Sequence, residues 1–360
     1  ISACLVGSEM CIRDRDDLTE RGTDPIGNGP YLLASWEREE ALTIVPNPRY
    51  EGPRIPQNEG IKFVVYPTED QAYEDLVDGN LDVLVHIPGS KLATFEDELG
   101  SQAVSRPVGS MIEITIPANA SNFRGEAGRL RRRALSMAVD REKLARELFH
   151  DTVIPANGFV APLHGTTPPA PTDATALTYQ PEKARELWAK AESMDPFEGT
   201  FSIAYNLDGS HQKWVEAVAQ QMTDTLGVPT EGRPFETFKQ MRQEVTARHI
   251  TGAFRTSWQA EYPDESSFLA PLFASYSAAN ESGFRNATFD DLLEQAGKAA
   301  TDAEADEYYK QAQDLLVDAM PAIPLWTSKS LGAYGKDIIP ACYTWKPLPN
   351  YYLIQRSSAR

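Results

Sequence analysis

Runs of apolar and β-branched residues, each four to six positions long, recur along the chain and predict a series of short strands. The runs lie at residues 42–45, 61–66, 82–85, 111–116, 201–205, 253–257 and 322–326. Pro324 interrupts the last run and removes a backbone N–H. This strand is therefore expected at a sheet edge or at a crossover.

Segments with apolar residues at helical spacing separate these runs. Thr68 and Gln71 form a capping-box pattern, and Gly79 predicts the end of the helix that they open. Further helices are predicted at residues 130–148, from a Ser210 cap to Leu226, after a Thr288 cap, and at residues 302–320. Alternating strands and helices indicate an α/β fold with a mostly parallel sheet.

The length of 360 residues is enough for two domains. We assign residues 16–108 to part of lobe I, residues 109–325 to lobe II, and residues 326–360 to a segment that returns to lobe I. The Pro-rich stretch at residues 162–181 is expected to be a surface connection. Two passages between the same lobes predict a hinge with a cleft, which is a usual location for a ligand.

The acidic composition narrows the range of partners. The formal net charge is -18, with 41% hydrophobic and 24% charged residues. This balance predicts a folded, soluble protein and argues against nucleic acid or an anionic membrane surface as a partner. No apolar run approaches the roughly 20 residues that a membrane span needs.

The three cysteines, Cys4, Cys11 and Cys342, indicate neither a disulfide framework nor a zinc site. The first two lie in residues 1–15, where the charges follow a broken apolar stretch, unlike those of a signal peptide. This segment resembles translated sequencing-adapter sequence. We therefore treat it as non-native and expect the true N-terminus, with any signal peptide, to be missing.

Motifs for catalysis are not found in the sequence. The five histidines form no i, i+4 pair, and the chain has no Gly-x-Ser-x-Gly elbow and no P-loop. We therefore expect a binding protein with no cofactor, no metal and no enzymatic activity. The alternative from another class is a hydrolase that would use Asp264 and Glu265 with Glu261 as acid and base.

The most informative segment is residues 258–273, which follows the predicted strand at 253–257. Trp258 and Tyr262 flank Glu261 in this segment. A carboxylate between aromatic rings suits a ligand with a positive charge, because aromatic faces add cation–π attraction and contact area. The other interpretation is a surface turn, in which Asp264 bonds back to the backbone.

Four segments, in order, resemble the extracytoplasmic oligopeptide- and dipeptide-binding proteins, the family 5 solute-binding subunits of ABC importers. Residues 24–50 resemble the family pattern Gly-Thr-Gly-Pro-Tyr, a Trp, and a strand that leads to Asn-Pro-x-Tyr. Residues 133–141 resemble Arg-x-Ala-Leu-x-x-Ala-Ile-Asp-Arg. Residues 258–273 resemble Trp-x-x-Asp-Tyr-x-x-Pro before a Ser-Phe-Leu run, and residues 323–326 resemble a return strand.

The resemblance implies a two-lobed, periplasmic-binding-protein-like fold of type II that closes over a short peptide. Such a protein delivers its solute to ABC permease subunits and acts as a monomer in the periplasm or as a cell-surface lipoprotein. Binders of nickel, heme or sugar use the same scaffold and remain alternatives. The family's small extra domain would precede this fragment, so we expect the chain alone to bind weakly.

The resemblance also implies the ligand-binding residues. Glu261 matches the Asp that pairs with the ligand's α-ammonium in peptide-binding relatives, and it is one methylene longer. The other residues are expected to line the pocket: Trp258, Tyr262, Asp264, Ser110 and Met111. No position matches an arginine that would clamp the ligand carboxylate.

Overall fold

The structure is a computed structural model that describes residues 25–163, 168–339 and 344–357. The chain forms two compact units. Of the described residues, the first comprises 25–104, 332–339 and 348–357, and the second comprises 105–163, 168–331 and 344–347. The adapter-like segment at residues 1–15 and Cys342 lie outside the described residues.

The described residues form ten α-helices and twelve strands, in addition to short 3₁₀ turns. The helices are α1 (Glu69–Asp78), α2 (Phe95–Leu99), α3 (Gly125–Met137), α4 (Arg141–Phe149), α5 (Pro181–Met194), α6 (Gln212–Leu226), α7 (Phe238–Thr246), α8 (Ser266–Phe273), α9 (Ala287–Ala296) and α10 (Asp302–Ala319). The strands are β1 (Tyr31–Glu37), β2 (Ala41–Pro46), β3 (Ile61–Val64), β4 (Val83–Leu84), β5 (Ala103–Thr115), β6 (Val153–Pro155), β7 (Phe201–Asn206), β8 (Thr230–Phe235), β9 (Ala253–Gln259), β10 (Ala322–Tyr334), β11 (Ile338–Ile339) and β12 (Gln355–Arg356).

The second unit is built around a mixed sheet with the strand order β10-β5-β9-β7-β8, and β6 pairs with β10. Strand β7 runs parallel to β8 and β9, whereas β9 runs antiparallel to β5. The predicted α/β class is confirmed, but the prediction of a mostly parallel sheet is wrong. Three helices separate β5 from β7, and a connection of that length lets the chain return in either direction.

Strand β10 has neighbours on both sides, so the edge position predicted from Pro324 is wrong. The alternative, a crossover at Pro324, stays a prediction. Residues 322–331 of this strand belong to the second unit and residues 332–334 belong to the first. Strand β5 likewise begins in the first unit and continues into the second after residue 104.

Capping residues determine where the helices begin and end. The Thr68 hydroxyl accepts a 3.3 Å hydrogen bond from the Gln71 N–H, and Gly79 ends α1 in the left-handed region at φ 82°, both as predicted. Residues 130–148 form two helices and not the single helix predicted. The break comes at Asp140, whose carboxylate accepts from the Lys143 N–H at 2.9 Å and caps α4.

Two other predicted caps are wrong. Helix α6 begins at Gln212 without a side-chain cap, so Ser210 does not cap it. Helix α9 is capped by Asn286, which accepts a 3.2 Å bond from the Phe289 N–H, and not by Thr288. Both Asn and Thr are favourable caps, so the local sequence did not distinguish them.

The core of the second unit lies between its sheet and its helices. Trp326, fully buried on β10, packs edge-to-face on Trp214 with ring centroids 5.4 Å apart. It also contacts Phe149 at 4.8 Å. Trp214 lies on the apolar stripe of α6, so the prediction that this stripe is core and not a ligand surface is confirmed. Aromatic pairs of this kind add about 0.5–1.5 kcal/mol each beyond their area burial.

The first unit contains the antiparallel sheet β1-β2-β3, the β11-β12 pair, and β4, which pairs with the last residues of β10. Strands β3 and β4 and the segment at residues 351–356 line an apolar cavity of about 790 Å³. None of the predicted ligand-binding residues lines this cavity. In neither unit does a described helix combine the length and the apolar character that crossing a membrane would require.

Candidate ligand-binding site

The β5–β9 pair brings the predicted site residues together across about 150 positions of sequence. Ser110 lies opposite Gln259, and Met111 lies opposite Trp258. The ladder continues past β9, where the Ala260 N–H donates a 2.7 Å bond to the Gly109 carbonyl. A Cβ on Gly109 would lie 2.9 Å from Leu163 and 3.2 Å from Ala260, so only glycine fits this close approach without a shift.

The loop that follows β9 carries Glu261 and is held by Ser267 at the start of α8. The Glu261 N–H donates to the Ser267 hydroxyl at 2.8 Å, and the Trp258 indole N–H donates to the Ser267 carbonyl at 2.6 Å. Ser267 is fully buried. The loop therefore returns to its own starting strand, and Glu261 is presented on a fixed backbone.

The Asp264 carboxylate accepts hydrogen bonds from other residues of the protein. Its Oδ1 accepts from the Ser266 N–H at 2.8 Å and from the Tyr309 hydroxyl at 2.9 Å. These bonds match the turn interpretation of this residue, in which the carboxylate bonds back to the backbone two positions on. Its expected place among the ligand-binding residues stays a prediction, and in the structure its carboxylate bonds to the loop backbone and to Tyr309.

The predicted site residues differ in exposure. Glu261 and Tyr262 are exposed, Trp258 and Ser110 are half-buried, and Met111 is 1% exposed within the hydrophobic core. The side chain of Met111 therefore packs in the core and does not line an open surface. Among the described residues, no ion pair involves the Glu261 carboxylate. The carboxylate is exposed and has no cationic partner there.

Arg255, six positions before Glu261 on β9, was not singled out from the sequence. It is 9% exposed, its Nε donates a 2.9 Å bond to Asn206 Oδ1, and its guanidinium lies 4.8 Å from the centroid of the Phe238 ring. No carboxylate in the described part of the chain forms an ion pair with it. The signal was present in the sequence, since an Arg inside an apolar strand requires a buried partner or a ligand.

His211 lies close enough to Arg255 to be affected by its charge. Burial, and then the Arg255 guanidinium, lower the pKa of His211 to about 4. The imidazole is therefore neutral at pH 7, and its Nδ1 accepts a 3.3 Å hydrogen bond from the Trp214 indole. The buried Arg255 guanidinium therefore lies near a neutral ring, and the charge of the Asp208 carboxylate acts on both groups.

Two buried carboxyls lie in the same region of the second unit. Glu113, on β5 opposite Thr256, is 2% exposed, and burial raises its pKa to about 8. Glu265, on the loop before α8, is 8% exposed. Burial, followed by the charges of Asp306 and Asp264, raises the pKa of Glu265 to about 8. Both carboxyls are therefore largely protonated at pH 7.

Metal chemistry receives no support from the described residues, within which no three His, Cys, Asp or Glu side chains group as ligands for an ion.

A profile of the bacterial extracellular solute-binding proteins, family 5 Middle, matches residues 9–280. The chain belongs to this family. The match begins inside the adapter-like segment and includes the Glu261 loop and both strands of the candidate site.

The curated relatives compared with this chain are distant. The glutathione-binding protein GsiB of Escherichia coli strain K12 is 26% identical over 329 residues, which are 89% of this chain and 62% of GsiB. The chain thus spans less than two thirds of the length of the curated relatives that it matches.

Solved structures show the same fold. The murein tripeptide binding protein MppA of Escherichia coli matches with a TM-score of 0.74 and 21% identity, over 98% of this chain and 68% of MppA. An OppA of Haemophilus influenzae, in complex with RPPGFSPFR, matches with a TM-score of 0.68 and 17% identity, over 93% of this chain and 65% of OppA. The expected fold, that of the two-lobed periplasmic binding proteins, is confirmed by these likenesses.

Proposed function

We propose that this family 5 chain captures short peptides, as the solute-binding subunit of an ABC importer outside the cytoplasm, and delivers them to a membrane permease. The observation that carries the proposal is the Glu261 carboxylate. It is exposed, it takes part in no ion pair within the described residues, and its backbone is fixed by Ser267. These are the properties of a group that receives a ligand's cation.

A peptide α-ammonium is the cation that we infer for Glu261. A charge-assisted hydrogen bond between ammonium and carboxylate is short and about twice as strong as a neutral one. Among the proteins similar to this chain, GsiB is a glutathione-binding protein, MppA is a murein tripeptide binding protein, and the OppA of Haemophilus influenzae is in complex with the peptide RPPGFSPFR. Tyr262, 46% exposed beside Glu261, would add aromatic contact to the same group.

We infer that Arg255 receives the ligand carboxylate. Its guanidinium has one hydrogen-bond partner, Asn206, and lies against Phe238, which is itself 46% exposed. The Asp208 carboxylate acts on this cation through its charge but forms no ion pair with it within the described residues, so a bound ligand carboxylate would stabilise the buried guanidinium further. A peptide offers both charges, an ammonium for Glu261 and a carboxylate for Arg255.

The test is calorimetric titration of the chain at pH 7 with Ala-Ala-Ala, glutathione and N-acetyl-Ala-Ala-Ala. We expect the free peptides to bind weakly to the chain alone and more tightly to a full-length protein that carries it. In either, acetylation or Glu261→Gln should lower the affinity about 10- to 100-fold, because a hydrogen bond to a charged group contributes roughly 1.5–3 kcal/mol. Glu186→Gln, an exposed carboxylate on α5, is the matched control. Equal affinity for the free and the acetylated peptide would contradict the role of Glu261.

A further inference from the structure

Glu265 is a buried carboxyl at the base of the loop that carries Glu261. It lies immediately before α8 and is 8% exposed. It also stands where the family pattern Trp-x-x-Asp-Tyr-x-x-Pro has its proline. A carboxyl at this position is a departure from the pattern, and its burial carries an energetic cost unless it is neutral or paired.

The side-chain partner of Glu265 is Gln313, a buried residue on α10. Gln313 Nε2 lies 3.5 Å from Glu265 Oε2, at the long limit of a hydrogen bond. The same amide accepts from the Phe159 N–H at 2.9 Å and donates to the Pro169 carbonyl at 3.3 Å. Gly158 leaves room for it, since a Cβ there would lie 2.6 Å from Gln313 Oε1. Glu265 is therefore packed against an amide that already forms hydrogen bonds to two other segments.

The charged groups around Glu265 are acidic. Asp264 lies beside it on the loop, and Asp306 faces it from α10, where Asp302 and the Tyr309 hydroxyl are neighbours. Helix α9, which also packs on α8, carries carboxylates at positions 290, 291 and 294, and the last of these pairs with Lys298. Helix α10 also carries Lys310, one turn after Asp306. No Lys, Arg or His in the described ranges forms an ion pair with Glu265, Asp264 or Asp306. An ionised Glu265 would add a negative charge with nothing to offset it.

The backbone of Glu265 connects directly to the Glu261 anchor. Its carbonyl accepts from the Phe268 and Leu269 N–H groups at 3.0 and 3.1 Å, which forms the first turn of α8. Ser267, inside that turn, is the residue whose hydroxyl holds the Glu261 N–H. A displacement of Glu265 toward solvent would therefore move Ser267 and release Glu261.

We propose that Glu265 is a positioning residue that holds the Glu261 loop only while its carboxyl is protonated, so that solute capture weakens as the external pH rises. The part of this proposal that concerns capture rests on the proposed function. The part that concerns the loop is a property of the ligand-free protein and is measured separately.

The ligand-free measurement is denaturant unfolding of the unchanged chain and of Glu265→Gln between pH 5 and pH 9. The folded-state pKa lies above the ordinary value of 4.5, so the stability that protonation confers is present at low pH and is lost as the pH rises toward about 8. We expect the unfolding constant of the unchanged chain, divided by that of Glu265→Gln, to rise about tenfold per pH unit between pH 5 and pH 8. A ratio that does not change with pH would overturn the proposal.

A second variant, Glu265→Pro, restores the residue of the family pattern. Glu265 has φ -61°, close to the value that proline imposes, and no hydrogen bond from its N–H is found among the described residues. We expect this variant to show the same weak pH dependence as Glu265→Gln, although the two side chains differ in size and polarity. Agreement between them would assign the effect to the carboxyl. A Glu265→Pro variant whose unfolding has the same pH dependence as that of the unchanged chain would overturn the proposal.

The binding measurement is calorimetric titration with Ala-Ala-Ala at pH 7 and pH 9. The peptide amine itself loses its proton near pH 8, so the informative quantity is the affinity of the unchanged chain divided by that of Glu265→Gln. We expect this ratio to fall about tenfold between the two pH values, because only the protonated fraction binds. Glu186→Gln is again the control and should match the unchanged chain.

The outcomes separate the two proposals. Peptide binding with the same pH profile in the unchanged chain and in Glu265→Gln would overturn the role of Glu265 and leave the proposed function standing. No peptide binding by any variant at either pH would count against the proposed function. In that case the unfolding measurement still decides whether the folded protein keeps Glu265 protonated, which the role of Glu265 requires.

Discussion

The Trp258 indole donates a 2.6 Å hydrogen bond to the Ser267 carbonyl, and the Ser267 hydroxyl in turn accepts from the Glu261 N–H at 2.8 Å. Two bonds to one buried residue thus join the end of β9 to the start of α8. The five residues between Glu261 and Ser267 form a closed loop, and the charged side chain of Glu261 projects from it. A binding carboxylate on such a loop needs little reorganisation when a ligand arrives.

Removal of the Ser267 hydroxyl should loosen this loop. We expect Ser267→Ala to lower the free energy of unfolding by about 1 kcal/mol, the usual contribution of one hydrogen bond, and to weaken binding of Ala-Ala-Ala. Denaturant unfolding and calorimetry measure the two effects. Ser193→Ala, an exposed serine on α5, is the matched control. Full affinity in Ser267→Ala would mean that the loop is held by other contacts.

The composition of this site was partly predictable. Trp258, Glu261 and Tyr262 were identified because aromatic and acidic residues are adjacent in the sequence, and the pairing of β5 with β9 placed Ser110 beside them. Arg255 was missed because it lies within an apolar run that was assigned to the core. Its partner Asn206 is 49 positions away, and such a contact leaves no local pattern.

Helix boundaries and the burial of polar residues were also hard to predict, because they too depend on contacts that leave no local pattern. The apolar period continues from α3 into α4, so only the Asp140 cap reveals the break. Glu265 looks like an ordinary acidic turn residue in the sequence, and its burial comes from Gln313 and Asp306 on a helix about 40 positions later. Local signals therefore predicted most elements, whereas long-range contacts decided which polar residues are buried.

Replacement of Arg255 should change the preference for the ligand's C-terminus. We expect the unchanged chain to bind Ala-Ala-Ala at least about tenfold more tightly than the C-terminal amide, and Arg255→Gln to lose that preference. Calorimetric titration with both peptides measures the ratio. Arg285→Gln, an exposed arginine in the loop before α9, is the control. A preference that persists in Arg255→Gln would assign the carboxylate to another residue.

Arg141 is expected to act on stability and not on ligand preference. Its buried guanidinium donates to the Pro324 carbonyl at 2.7 Å and to the Ser136 and Val139 carbonyls at 3.1 and 3.3 Å, and so joins α4 to β10. Arg141→Ala would remove these three bonds from buried carbonyls, although the Ser136 carbonyl would still accept from the Val139 N–H. We expect a loss of about 3–5 kcal/mol in the free energy of unfolding, measured with urea. Arg146→Ala, on the last turn of the same helix and exposed, should cost far less.

Glu113 predicts a pH dependence of stability that is separate from that of Glu265. Burial raises the pKa of Glu113 from 4.5 to about 8, so the folded state holds a proton that the unfolded chain releases above pH 4.5. Stability is therefore greatest below pH 4.5 with respect to this group, and it falls by about 1.4 kcal/mol per pH unit until about pH 8. We expect Glu113→Gln to unfold at a higher urea concentration than the unchanged chain at pH 8. The difference should vanish near pH 4.5, and a pH-independent difference would mean that Glu113 is ionised in the folded protein.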